Sequence, residues 1–279
     1  MKIAIIGAGV MGSGIAQVSA MAGHQVSLFD LNQDALSKAL KTIESNLDKG
    51  IVRGKVSESD KINCLSNLTL LGKLEEVQAD LIIEAVVERL DVKIELFNNL
   101  AKNNGPSTIY ATNTSSIPIT QIAAGSMYPE RVIGIHFFNP AHIMKLVEII
   151  SGAHTSEQTR EIAETFVKSI GKIGINAADA PGFIVNRVAR NFYVEGLKTL
   201  EERVASYEVI DELMESSGFK MGPFRLMDLI GVETNYSVTT SMYELFKHES
   251  KFRPNRIQKQ KVDAGHHGRK SGKGFYNYE

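Results

Sequence analysis

An apolar run, Lys2-Ile3-Ala4-Ile5-Ile6, breaks into Gly7-Ala8-Gly9-Val10-Met11-Gly12 and continues as the helix-favouring Ser13-Gly14-Ile15-Ala16. Strand, G-x-G-x-x-G and helix in that order are what a dinucleotide-binding βαβ unit requires. Gly7 permits the tight turn, Gly9 lets the backbone approach a pyrophosphate, and Gly12 lets helix and strand pack closely. The helix start then offers unpaired N–H groups and the positive end of its dipole to phosphates. Glycine-rich turns are common, so the motif needs context. A second apolar run, Gln25-Val26-Ser27-Leu28-Phe29, supplies it by ending in Asp30, 18 residues after Gly12. An acid there can accept hydrogen bonds from both ribose hydroxyls of an adenosine. It also repels a 2′-phosphate by roughly 1–4 kcal/mol for charges about 4 Å apart, which favours NAD over NADP. The competing reading of Asp30 is a cap for a helix starting near Asn32.

The chain has 279 residues, enough for two domains and a sizeable core. Lysine and arginine (31) nearly balance aspartate and glutamate (32). No global field draws it to nucleic acid or to an acidic membrane, so an anionic ligand must be met by local charge. The single cysteine, Cys64, excludes an internal disulfide and a thiol-based metal site, and no metal is expected. No apolar run approaches the ~20 residues that span a bilayer. The N-terminus reads as a strand and not as a secretion signal, so the cytoplasm is the expected compartment; a removed transit peptide is left open.

Strand-like and helix-like segments alternate through the first 180 residues. Apolar residues at Leu36, Ala39, Leu40, Ile43 and Leu47 mark a helix over 34–49. Residues 50–65 are polar and mixed in charge, with Lys49, Arg53 and Lys55 giving a positive rim. Further strands are expected at 68–71, 79–83, 107–111, 131–137, 144–150 and 172–177. This pattern predicts an α/β fold with a Rossmann-like, mainly parallel sheet over residues 1–182. Asp179-Ala180-Pro181-Gly182 punctuates the chain, and 183–279 reads as an all-helical C-terminal domain. Helices are expected near 183–204, 206–217 and 224–248, with a break at Gly222-Pro223.

His136 and Glu148 carry the most chemical information. A strand leads to His136, a loop with Asn139-Pro140 follows, and a second strand carries Glu148 among Leu146, Val147, Ile149 and Ile150. In an antiparallel hairpin turning near 141–143, positions 136 and 148 stand opposite one another, with Cβ atoms about 5 Å apart. A carboxylate among aliphatics is costly unless paired. Such a pair holds one imidazole tautomer and favours a general base; a structural ion pair is the alternative. Asn113-Thr114-Ser115-Ser116 ends another strand, at the edge where open α/β sheets bind ligands. Asn186-Arg187 follows the predicted domain junction. The tail Gly268-Arg269-Lys270-Ser271-Gly272-Lys273-Gly274-Phe275-Tyr276 reads as a flexible basic end or as a flap on an anionic cofactor.

Together these segments resemble the 3-hydroxyacyl-CoA dehydrogenase family, in particular its stand-alone short-chain, 3-hydroxybutyryl-CoA branch. The resemblance spans the chain through GAGVMGSGIA, DLIIEAVVE (80–88), NTSS (113–116), HFFNPAHIMKLVEII (136–150), DAPGFIVNR (179–187), MGPFRLMDLIG (221–231) and GRKSGKGFY (268–276). It implies that His136 takes the proton of a 3-hydroxyl while hydride passes to NAD, and that Glu148 orients His136. It implies that Ser115 and Asn186 hold substrate oxygens, and that Asp30, Glu88, Lys93, Asn113, Ser115, Asn139 and Lys273 contact NAD. By looser alignment Arg53, then Lys49, meet the phosphates of CoA, and the helical domain forms a homodimer. Thr112, Val194-Glu195-Gly196, Arg203 and Glu233 depart from the family's usual residues. A dehydrogenase of a non-CoA hydroxy acid or carnitine would keep the His–Glu pair but have no use for Arg53. A non-catalytic nucleotide binder would have no reason to keep Ser115, His136, Glu148 and Asn186 together. A further family with similar glycines uses a lysine just before the junction asparagine, and 181–187 contains none.

Overall fold

A computed structural model describes residues 1–278, which divide into two compact units, Met1–Ala180 and the residues from Pro181 onward. The first unit runs β1 (Lys2–Ile6), α1 (Val10–Met21), β2 (Gln25–Phe29), α2 (Gln33–Val52), α3 (Glu58–Ser66), β3 (Leu68–Leu71) and β4 (Leu81–Glu84). It continues with α4 (Leu90–Asn104), β5 (Ile109–Thr112), α5 (Ile119–Ala124), β6 (Val132–Phe137), β7 (Leu146–Ser151), α6 (Glu157–Ser169) and β8 (Ile173–Ala178). The eight strands form one sheet in the order β3-β2-β1-β4-β5-β6-β7-β8. All neighbours are parallel except β6 and β7. The strand order reverses between β1 and β4, which opens a crevice at the carboxyl ends of those strands.

Burial follows the sequence pattern. Ile3, Ile5, Leu28, Leu81 and Ile83 fill the sheet faces, and α2 lays Leu36, Ala39, Ile43 and Leu47 against them. Removing a side chain of that size from water contributes about 1.5–3 kcal/mol. Half of the polar stretch 50–65, to which hydrophobic periodicity assigns no element, is helix α3. Its start is fixed by a capping box in which Ser57 accepts from the Asp60 N–H and Asp60 accepts from the Ser57 N–H. Cys64 is its buried anchor, and burial pushes that thiol up to about 11, which keeps it unreactive.

The second unit comprises α7 (Val185–Glu201), α8 (Tyr207–Ser216), α9 (Pro223–Ile230), α10 (Val232–Leu245) and α11 (Arg256–Asp263). The single helix expected over 224–248 is two, because Gly231 adopts φ +107° between them. Pro223 opens α9 from its first turn, where its missing N–H has no cost. Tyr193, Leu197, Phe224, Met227, Val232 and Phe275 form this unit's core. Its tail is folded, not loose: Asp228 accepts from the Phe275 and Tyr276 N–H groups and from the Tyr278 hydroxyl. No helix among the described residues is long and apolar enough to cross a membrane.

Candidate active site

The glycine loop lies over the reversal point of the sheet. At Gly7, with φ +103°, an added Cβ would stand 2.6 Å from the Ala85 carbonyl oxygen at the end of β4. At Gly12 it would stand 1.7 Å from the Gly7 carbonyl oxygen, so helix α1 crosses β1 closely enough to exclude any side chain. Gly9 differs, since its missing Cβ would meet nothing within 4 Å. Gly9 is also the N-cap of α1, with no side chain capping it and no acid in the first turn. The amides of Val10, Met11 and Gly12 therefore begin a helix whose positive end faces open space. Asp30 completes this corner. One carboxylate oxygen accepts from the Ala8 N–H at 2.7 Å and the other from the Asn32 N–H at 2.9 Å. The acid thus ties the glycine loop to the end of β2, and Asn32 itself caps α2 by accepting from the Asp34 N–H. The residues fit a dinucleotide: an open, uncapped helix start for its phosphates and a carboxylate one strand away for a ribose.

A second cluster follows β4 and β5. Lys93, 1% exposed, binds both Glu84 oxygens at 2.7 and 2.9 Å and a Glu88 oxygen at 3.2 Å. The other Glu88 oxygen accepts from the Thr114 hydroxyl (2.5 Å), the Ser115 N–H (2.9 Å), the Ser116 N–H (3.2 Å) and the Ser116 hydroxyl (3.1 Å). Burial pushes the Glu88 carboxyl up, but the Lys93 charge and these donors outweigh it and hold it below its ordinary value. Asn113 joins this loop to the next strand, since its side-chain oxygen accepts from the Phe137 N–H at 2.8 Å.

That next strand carries His136. In the antiparallel pair β6–β7, His136 stands opposite Glu148, as the spacing predicts, and Nδ1 lies 2.8 Å from a Glu148 oxygen. Both side chains are buried, and Phe138 tilts against the imidazole with centroids 4.7 Å apart. The following loop exposes Asn139 and is held by Lys172, whose ammonium donates to the Ala141 and Met144 carbonyls, both at 2.6 Å. Arg53 and Lys49 lie together at the exposed end of α2, lining an open groove of mixed charge with Lys41, Ser45, Glu44 and Asp48.

Asn186 and Lys273 belong to the second unit. The Asn186 side-chain oxygen accepts from the guanidinium of buried Arg190 at 3.4 Å. Arg190 is fixed in turn by the Asn235 carbonyl and the Thr239 hydroxyl, and burial pushes it down to about 10. Lys273 is exposed in the tail and pairs through its backbone with Gly268 and Asn277. Sequence reasoning missed Glu84, Lys172 and Arg190. The signal for Glu84 was present, an acid ending the apolar run Leu81-Ile82-Ile83, but the expected strand stopped one residue short of it.

A glycine loop open to phosphates on a mainly parallel sheet, with a buried His–Glu pair on two later strands, marks a nucleotide-binding domain that carries an acid–base pair. The chain belongs to the 3-hydroxyacyl-CoA dehydrogenase family: residues 2–180 match that family's NAD binding domain and residues 182–278 its C-terminal domain. It is 46% identical to a 3-hydroxyadipyl-CoA dehydrogenase of Escherichia coli, over 99% of this chain but only 58% of that relative's length. It is 41% identical to a probable 3-hydroxybutyryl-CoA dehydrogenase of Bacillus subtilis, covering all of this chain and 97% of the relative. The crystal structure of the (S)-3-hydroxybutyryl-CoA dehydrogenase of Ralstonia eutropha superposes with TM-score 0.94 at 38% identity, over 100% of this chain and 99% of that one.

Proposed function

We propose that this protein catalyses the NAD-dependent, reversible oxidation of an L-3-hydroxyacyl-CoA to the 3-oxoacyl-CoA, with 3-hydroxybutyryl-CoA and acetoacetyl-CoA as the preferred pair. The carrying observation is the buried His136–Glu148 pair, set by strand register within a chain of this family. Bound NAD supplies the hydride acceptor. His136 takes the 3-hydroxyl proton as the C3–H bond breaks and the C3 carbonyl forms, and returns it in the reverse direction. Glu148 orients the imidazole through Nδ1 and stabilises the imidazolium that results. Proton removal by a placed base is worth about 10²–10⁴ in rate, and orientation of the two reactants supplies much of the rest. Ser115 and Asn186 hold the substrate oxygens.

Asp30 takes the adenosine ribose, and the amides of Val10, Met11 and Gly12 take the pyrophosphate. Glu88, Lys93, Asn113, Asn139 and Lys273 complete the nucleotide site, directly or through neighbours. Arg53 and Lys49 meet the CoA phosphates. A homodimer through the second unit is supported by the exposure of Val188, Val209, Leu213 and Phe219. A single, buried cysteine suits the reducing cytoplasm. A second substrate class, a 3-hydroxyacyl-CoA with a far carboxylate, is favoured by the 46% identity to the hydroxyadipyl enzyme.

The test is NADH oxidation with acetoacetyl-CoA, 3-oxoadipyl-CoA and free acetoacetate, with NADPH in parallel. Turnover with the CoA thioesters and NADH is expected, with Arg53→Glu raising KM for the thioester. Equal turnover of free acetoacetate, unaffected by Arg53→Glu, would refute the CoA assignment.

A further inference from the structure

Glu84 has no part in the chemistry above, yet it is a fully buried carboxylate at the end of β4, one strand from the substrate-facing serine loop. Its surroundings show what it does. Both of its oxygens bind the Lys93 ammonium, Thr112 donates its hydroxyl to one of them, and the Val86 N–H donates to the other at 3.1 Å. An ammonium has three donors, and Lys93 places two on Glu84 and directs the third at Glu88. None is left for a ligand. Glu88, in contrast, is only partly buried, and on its own such a side chain keeps much of its rotamer freedom. Pinned by Lys93 from one side, it presents its other oxygen to donors from Thr114, Ser115 and Ser116.

We infer that Glu84 and Lys93 are positioning residues that lock Glu88 as a clamp on the 113–116 loop and thereby set the Ser115 hydroxyl. The inference rests on the proposed role of Ser115 toward substrate. The distances support a division of labour within the loop. The Ser115 and Ser116 amides are committed to the clamp, whereas the Ser115 hydroxyl lies 3.5 Å from the same Glu88 oxygen, the loosest of its five contacts. The hydroxyl is the group able to turn toward a ligand, and its backbone is the part held still. A purely structural ion pair would close on itself between β4 and α4. This one spends its last donor on a residue whose remaining bonds all reach the loop at the end of β5.

Lys93→Met alone strands two carboxylates, so the folded comparison is Glu84→Gln/Lys93→Met, which removes buried charge of both signs. Amide exchange at Ser115 and Ser116 is the readout independent of activity. It should quicken about tenfold or more in this variant, the scale on which a local network couples to its neighbours. In acetoacetyl-CoA reduction at saturating NADH, kcat should fall about tenfold, and the loss should vanish in a Ser115→Ala background. Unchanged exchange overturns the clamp. A kcat loss that multiplies fully with Ser115→Ala, or a large loss of NADH affinity with kcat retained at saturation, overturns its action through Ser115. Absence of acetoacetyl-CoA turnover in the unmodified protein would sink the functional reading instead, and the exchange data would still judge the clamp.

Discussion

Glu148→Gln separates charge from geometry at the His136 pair. Glutamine keeps the size of the side chain and can keep a hydrogen bond to Nδ1, 2.8 Å away, but it removes the negative charge. With both residues buried, solvent screening is weak. Two unit charges about 4 Å apart interact by about 4 kcal/mol at an effective dielectric of 20. That interaction grows only as His136 becomes an imidazolium, so it acts on the transition state and not on substrate binding. Allowing for relaxation and the retained hydrogen bond, a net loss of about 2–3 kcal/mol corresponds to a 30- to 150-fold fall in kcat. Stability should move the other way or not at all, because burying an amide costs less than burying a charge. The assay is steady-state oxidation of 3-hydroxybutyryl-CoA by NAD, the direction in which His136 gains its proton, with NADH affinity from fluorescence and Tm from calorimetry. A kcat within twofold of the unmodified enzyme would refute an electrostatic role for Glu148. A fall in kcat accompanied by an equal collapse of Tm would mean that the pair only holds β6 to β7.

Two further outcomes follow from the same coordinates. Gly12→Ala forces a Cβ onto the Gly7 carbonyl and should cost about 3 kcal/mol or more, seen as a large drop in Tm, whereas Gly9→Ala meets open space and should keep its Tm while weakening NADH; equal stability losses would remove the distinction between packing and ligand glycines. The Glu88 carboxyl is held below its ordinary value, so its contribution to stability is complete above about pH 4.3 and is lost as pH falls through the lower folded value. The stability difference between the unmodified protein and Glu88→Gln should therefore be flat through neutral pH and shrink only in acid, and a difference that instead grew on acidification would contradict the sign of that shift.

Local pattern sufficed wherever the cause was local. The strand–glycine–helix opening, the buried stripe of α2 and the His136–Glu148 register each depend on residues close in sequence or on one hairpin. The elements that escaped notice lack such a signature. Helix α3 is short and polar, with one buried residue, so hydrophobic periodicity is silent and only its capping box announces it. The split between α9 and α10 turns on one positive φ at Gly231, which a glycine permits but does not demand.

The site was legible as a set of residues and not as a network. Glu88, Lys93 and Ser115 are each expected at the nucleotide and bond in series, Lys93 to Glu88 and Glu88 to Ser115. Lys93, however, is anchored by Glu84, which is held in turn by Thr112, 28 residues away in the chain and adjacent only because β4 pairs with β5. A charged residue ending an apolar strand looks like the strand's boundary until its partner is known. Once Lys93 is seen with every donor taken by carboxylates, an apparent ligand contact becomes a support for one. Burial supplies the criterion. An ammonium 1% exposed can influence a ligand only through what it holds, whereas Ser115, half-buried and loosely tied, can meet one directly.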